Sequence, residues 1–289
     1  MISGSLFQTL RDILLLTRVW NLMIVFLTQL CVIIFLVSLH AGQEVSFELR
    51  LLLLLFSTGL IAAGGYAIND YYDVKIDFLN KPEKVVVGRY VKRRTVMLLH
   101  IALSFTGILM GYFVSISIAV VNLCAGILLW LYSNRLKCIP LIGNLAVAFL
   151  AGLVVLTVGI FYSCFSSPII LYSVFAFFFT LVREIIKDIQ DMKGDEAFGC
   201  KTLPIVLGFR KTKMFIYGLS IIFILTLPYY IDVINRSVMA GFFVAISLAL
   251  INLFYKLYLA DTKSQFSWLS AYCKWIMVGG IISMFIFAL

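Results

Sequence analysis

The sequence predicts an all-α polytopic membrane protein: a bundle of about nine transmembrane helices with two cytoplasmic Asp-rich loops. Three observations lead there. The 289 residues are 63% hydrophobic and only 13% charged, and the mean hydropathy is +1.07, which excludes an ordinary soluble domain. The apolar stretches approach the ~20 residues that a hydrocarbon core of ~30 Å requires of a helix. The alternation of a barrel strand is absent, which leaves the helix as the backbone that satisfies itself in lipid.

Nine spans follow in order: Val19–Leu39, Phe47–Ile68, Thr95–Ile116, Ser117–Tyr132, Leu141–Tyr162, Pro168–Lys187, Lys213–Ile231, Val238–Tyr258 and Ser270–Leu289. The fourth is short, and its break from the third is poorly marked. Pro82, Pro140, Pro168, Pro204 and Pro228 fall at segment edges or in loops, where they interrupt a helix at low cost. Before the first span, Leu6, Phe7, Leu10, Ile13, Leu14 and Val19 alternate with polar residues and predict an interfacial helix. Met1–Thr17 lacks the basic start and long apolar core of a cleavable signal. One domain over residues 1–289 is expected.

Charge orients the bundle. Of 23 basic residues, only Arg50 and Arg236 fall at ends placed outside. The positive-inside rule puts the N-terminus and the loops 69–94, 133–140, 188–212 and 259–269 in the cytoplasm, with the C-terminus outside. The expected location is a cytoplasmic (plasma or inner) membrane. The net charge of +9 follows from this asymmetry, and lipid headgroups are its expected partners. No nucleic-acid motif accompanies it. Six scattered cysteines without a C-x-x-C read as structural thiols, and two isolated histidines argue against a His-rich metal site.

One carboxylate pattern occurs twice. Asp70, Asp73 and Asp77 follow Asn69; Asp188, Asp191 and Asp195 repeat the spacing 118 residues later, an internal pseudo-repeat between 69–77 and 188–195. Six of the fourteen acidic residues lie in these runs, each at the end of an apolar segment. Steps of three and four place them on one helix face, where like charges repel unless a cation lies between them. A single Asp at a helix end is usually a cap; six in a repeated pattern point to divalent metal. Cations accompany the carboxylates in each loop: Lys81, Lys84, Arg89, Lys92, Arg93 and Arg94 after the first run, Lys193 within the second and Lys201, Arg210 and Lys211 after it. Mg2+ is held by one or two carboxylates plus substrate phosphates, and Lys and Arg bind phosphate oxygens directly. A metal-clamped diphosphate with its hydrocarbon tail among the helices is the expected guest. Arg183 and Glu184 read equally as a plain ion pair or as substrate contacts, and Lys92, Arg93 and Arg94 read as headgroup anchors.

These residues resemble the UbiA superfamily of intramembrane prenyltransferases. Asn69, Asp70, Asp73 and Asp77 match its first motif, and Asp188, Asp191 and Asp195 its second. Lys81-Pro-Glu-Lys-Val-Val-Val-Gly-Arg89 is similar to the loop after the first motif, with less Arg and Pro than usual. Tyr132-Ser-Asn-Arg-Leu-Lys137 resembles a Tyr-to-Lys element one residue shorter in most members, and Arg18-Val-Trp-Asn21 an Arg-x-x-Asn element opening the first helix. The resemblance implies Mg2+, two ions with one per run, and transfer of a prenyl group from an isoprenyl diphosphate. It implies Asp70, Asp73, Asp191 and Lys137 as catalytic residues, with Lys81, Lys84, Arg89, Lys137 and Lys201 on the diphosphate. Arg18, Asn21 and Tyr132 would orient the acceptor.

The stretch Arg183-Glu-Ile-Ile-Lys-Asp-Ile-Gln-Asp-Met-Lys-Gly-Asp195 is most similar to members that alkylate geranylgeranylglyceryl phosphate in ether-lipid synthesis. An aromatic acceptor such as 4-hydroxybenzoate, naphthoate or homogentisate stays open. So does a terpene cyclase with the same metal site. An ion-coupled transporter would use the repeat differently, but its site belongs near the midplane, and these runs sit at one boundary.

Overall fold

The computed structural model describes residues 11–46, 48–80, 82–226 and 236–285, and its named elements are all helical. Six helices among these residues are long and apolar enough to cross a membrane. The first comprises α1 (Val19–Cys31) and a π-helical continuation, Val32–His40. The others are α2 (Leu49–Asn80), α3 (Arg93–Val114), α4 (Ile116–Asn134), α5 (Ile142–Tyr162) and α6 (Ser167–Ala197). Then come α7 (Leu203–Leu207), α8 (Phe209–Thr226), α9 (Arg236–Leu259) and α10 (Lys263–Ser283). Exposed Trp20, Phe105, Leu225 and Trp275 present apolar surface that suits lipid.

Where nine spans were expected, six meet the standard of length and hydropathy among the described residues. Of the remaining three, α8 opens with Arg210, Lys211 and Lys213, and the apolar part of α9 is Val244–Leu259. Helix α10 begins at Lys263, earlier than the predicted Ser270. Predicted positions at 227–231 and 286–289 lie outside the described residues, as do Leu6, Phe7 and Leu10 of the interfacial helix; residues 11–16 of that helix are helical.

The Asp runs are not in loops. Helix α2 has 32 residues and α6 has 31, about 48 and 46 Å at ~1.5 Å per residue. Hydropathy ends near Ile68 and Lys187, but the helices continue for about three more turns. No proline interrupts α2 before Pro82, where a 3-10 turn (Pro82–Lys84) follows. A lipid-spanning helix therefore carries each polar run onward without a joint.

The chain forms two compact units. The first holds the described residues up to Gln29 and Ser46–Leu136. In it α2 lies against α3 and α4 on small residues: a methyl group on Gly64 would come within 2.8 Å of Ser104 Oγ. Polar contacts join the same helices, as lipid-buried interfaces favour. His100 Nδ1 lies 3.0 Å from Gly64 O, and Asn122 Nδ2 donates to Gly107 O at 3.1 Å. Ser115, in extended backbone between α3 and α4, caps α4 by accepting from Ile118 N at 3.2 Å. It makes the break that the sequence marked poorly.

The second unit holds Leu30–Val45 and the described residues from Lys137 on. Ser173 Oγ donates to Gly152 O at 3.1 Å, joining α6 to α5, and Tyr172 and Ser283 hydroxyls meet at 2.8 Å, joining α6 to α10. Phe178 stacks on Phe223 of α8 at 4.3 Å. Two cysteines correct the reading of all six as thiols: Cys138 and Cys200 form a disulfide, while Cys31, Cys124, Cys164 and Cys273 are free.

Candidate active site

In the first unit, Asn69, Asp70, Asp73 and Asp77 lie half-buried along α2. Asn69 Nδ2 donates to Asp73 Oδ2 at 2.9 Å, one turn along the helix. Arg18 Nη2 donates to Asp70 Oδ1 at 2.7 Å, and its guanidinium lies 5.1 Å from the Tyr66 ring centroid. Burial opposes the Arg18 charge, but Asp70, Tyr66 and Asp77 outweigh it and raise its pKa. Arg18 thus pairs with a carboxylate of the first Asp run. Asn21 is half-buried, and its backbone N–H donates to Arg18 O at 2.7 Å.

The loop after α2 is tied down by apolar residues. Val87 packs with Leu16, Ala67 and Val96, which leaves Arg89 exposed over the ring of Tyr90. Gly88 takes a φ of +83° there, which a side chain would oppose. Lys81 lies outside the described residues, as does the Lys84 side chain. Arg93, expected to anchor headgroups, stands 4.5 Å from the Tyr71 ring centroid and donates to Tyr71 O at 3.3 Å. Tyr132 is half-buried on α4.

In the second unit, Asp188, Asp191 and Asp195 follow one another along α6, half-buried. Asn144 Nδ2 donates to Asp188 Oδ2 at 2.8 Å. The sequence reading missed Asn144; its signal was a lone amide in an apolar span, where polar groups need partners. Arg183 and Lys187 both pair with buried Glu184, at 2.5 and 3.4 Å, so the expected ion pair is present. Lys137, half-buried, precedes Cys138, and Lys201, exposed, follows Cys200. Lys201 N donates to Cys138 O at 3.0 Å, so backbone bond and disulfide join the segments bearing both lysines.

Among the described residues, no three His, Cys, Asp or Glu side chains gather as a preformed metal cage. The donors are carboxylate and amide oxygens, the chemistry of a hard cation, and Mg2+ needs only one or two of them when phosphate and water complete its shell. The residues fit such an ion.

The fold defines an all-helical membrane protein. Residues 30–286 match the model of the UbiA prenyltransferase family. The chain belongs to that family and is a prenyltransferase. It is 33% identical over 203 residues to a digeranylgeranylglyceryl phosphate synthase from Sulfurisphaera tokodaii, 67% of this chain and 73% of that protein. A solved structure concerning digeranylgeranylglyceryl phosphate synthase superposes with a TM-score of 0.73 at 25% identity, covering 96% of this chain and 98% of the other. A UbiA homologue from Archaeoglobus fulgidus bound to GPP and Mg2+ gives a TM-score of 0.66 at 19% identity, covering 94% and 99%. At that identity the likeness is one of fold.

Proposed function

We propose that the protein transfers a prenyl group from an isoprenyl diphosphate to geranylgeranylglyceryl phosphate, with Mg2+, at the cytoplasmic face of the membrane. The observation that carries this reading is the likeness, over two thirds of the chain, to a digeranylgeranylglyceryl phosphate synthase. The A. fulgidus homologue solved with GPP and Mg2+ supports the donor class and the metal. The whole chain would act as one domain, with the C-terminal helices adding three spans to the six.

Asn69, Asp70, Asp73 and Asp77 would hold one ion, and Asp188, Asp191 and Asp195 a second. Bound Mg2+ supplies Lewis-acid stabilisation of charge on the diphosphate oxygens. Lys137, Lys201, Arg89, Lys81 and Lys84 would add charge-assisted bonds to diphosphate oxygens. The bond between the prenyl C1 and the diphosphate oxygen breaks, and its electron pair leaves with pyrophosphate. The acceptor's hydroxyl oxygen bonds to C1, and its proton passes to solvent. Stabilising the leaving charge is the main source of rate. Apolar helices keep water from the allylic cation, while Asn21 and Tyr132 orient the acceptor.

The test is a product assay on purified protein in lipid. Geranylgeranyl diphosphate and Mg2+ are offered with geranylgeranylglyceryl phosphate, or separately with phenolic acids. An adduct to the glyceryl phosphate that EDTA abolishes is expected. An adduct to a phenolic acid alone would move the assignment to quinone synthesis. Pyrophosphate release without any adduct would point to a cyclase.

A further inference from the structure

The two Asp runs are supported by different chemistry. Asp188 accepts from a neutral amide, Asn144. Asp70 accepts from a cation, Arg18. We infer that Arg18 is an internal counter-ion that holds Asp70 in the metal-free protein and opposes a divalent cation on that carboxylate, so that the two runs load metal unequally.

The backbone brings Arg18 to Asp70 at a break. Thr17 N donates to Ile13 O at 2.9 Å and closes the helical turn of residues 11–16. Arg18 then takes a φ of 51°, in the left-handed region that a non-glycine residue avoids. Its carbonyl accepts from Asn21 N at 2.7 Å and Leu22 N at 3.3 Å, opening α1. Tyr66, one turn before Asp70 on α2, lies beside the guanidinium. Helix break, aromatic ring and carboxylate thus define one position for the Arg18 head.

That position conflicts with metal. Oδ1 of Asp70 lies 2.7 Å from Arg18 Nη2. A Mg2+ ligand oxygen stands about 2.1 Å from its ion, so two cations on one carboxylate, whether they share Oδ1 or take one oxygen each, lie close enough to repel. Asn144 brings no such charge, Lys187 acts on Asp188 only through space, and Asp188 can keep the amide bond while ligating. The first run therefore binds metal more weakly than its donors alone would allow. Arg18 acts as a positioning residue that reaches the reaction only through Asp70.

This inference rests on Asp70 being a metal ligand, and the experiment separates the two ideas. Mn2+ is titrated into the full chain in detergent, without diphosphate, and free Mn2+ is followed by electron paramagnetic resonance. Arg18 is 37% exposed, so solvent screens the pair, and removing it is expected to tighten the weaker Mn2+ class about three- to fivefold. Arg18→Gln should show this. Arg18→Met, which keeps an unbranched stem beside Tyr66, should show the same if the Gln variant folds poorly. Asp70→Asn should abolish that class. Equal or weaker Mn2+ binding in folded Arg18→Gln and Arg18→Met, with the class still lost in Asp70→Asn, overturns the inference and leaves the ligand assignment standing. Undiminished binding in Asp70→Asn overturns both. A purely structural role for Arg18 would not make metal bind more tightly.

Discussion

Asn144, the third residue of α5, donates from Nδ2 to Oδ2 of Asp188 at 2.8 Å. The amide is buried, at 7% exposure, so the bond fixes one carboxylate oxygen while the other stays available to a ligand. The first turn of α5 also brings its positive dipole end near an anion. Loss of such support around a metal ligand typically costs about 10- to 100-fold. Asn144→Leu should lower prenyl transfer within that range and raise the Mg2+ concentration for half-maximal rate. Asn144→Asp should lower it further, since a like charge beside Asp188 disfavours ionisation of both. Wild-type turnover in folded Asn144→Leu would make the bond incidental.

Asp70→Ala and Asp191→Ala should each cost at least about a thousandfold in turnover, because a lost metal removes several kcal/mol of charge stabilisation. Expression and melting temperature should stay near wild type, since neither carboxylate is part of the apolar packing. Single-turnover assays with and without added Mg2+ read the first effect, and thermal melts the second. An Ala variant that stays folded and active would remove that residue from the metal set.

The Asp runs were legible because a period of three and four residues, repeated 118 positions on, leaves few explanations. That they are helical was not, because hydropathy stops at Ile68 and Lys187 while backbone hydrogen bonding does not. A polar helix end and a polar loop look alike when only transfer energy is counted. Arg18 stood out in the sequence, but its partner Asp70 lies 52 positions away. Asn144 stands 44 residues from Asp188, and Cys138 is 62 from Cys200. None of these pairings leaves a periodic trace, since tertiary contact alone creates them.

Packing between α2 and α3 gives a stability test outside the carboxylates. Any side chain at Gly64 must displace Ser104 Oγ and crowd His100, whose Nδ1 meets Gly64 O. Gly64→Leu should destabilise by about 1–3 kcal/mol through overpacking, read as a lower melting temperature in detergent. Gly64→Leu with Ser104→Gly should recover part of the loss. Failure of the double variant to recover any stability would place the strain elsewhere.

The disulfide should matter for both stability and substrate. Cys138 and Cys200 close a separation of 62 residues, and constraining an unfolded loop of that size is typically worth about 2–4 kcal/mol. Cys200 is buried, and Lys201 N donates to Cys138 O, so the residues after α6 are held against the turn that carries Lys137. If both lysines bind diphosphate, releasing the tether costs order that the substrate must then supply. Cys138→Ser, Cys200→Ser and wild type treated with dithiothreitol should all melt earlier. Each should also show a KM for isoprenyl diphosphate raised about two- to fivefold, an ordering cost below ~1 kcal/mol, with kcat nearly unchanged. Thiol alkylation read by mass spectrometry reports how much protein is reduced in each sample. Reductant should change nothing further in Cys200→Ser. A melting temperature that falls while KM stays fixed would confine the bond to stability, and would argue that Lys137 and Lys201 do not act together on the donor.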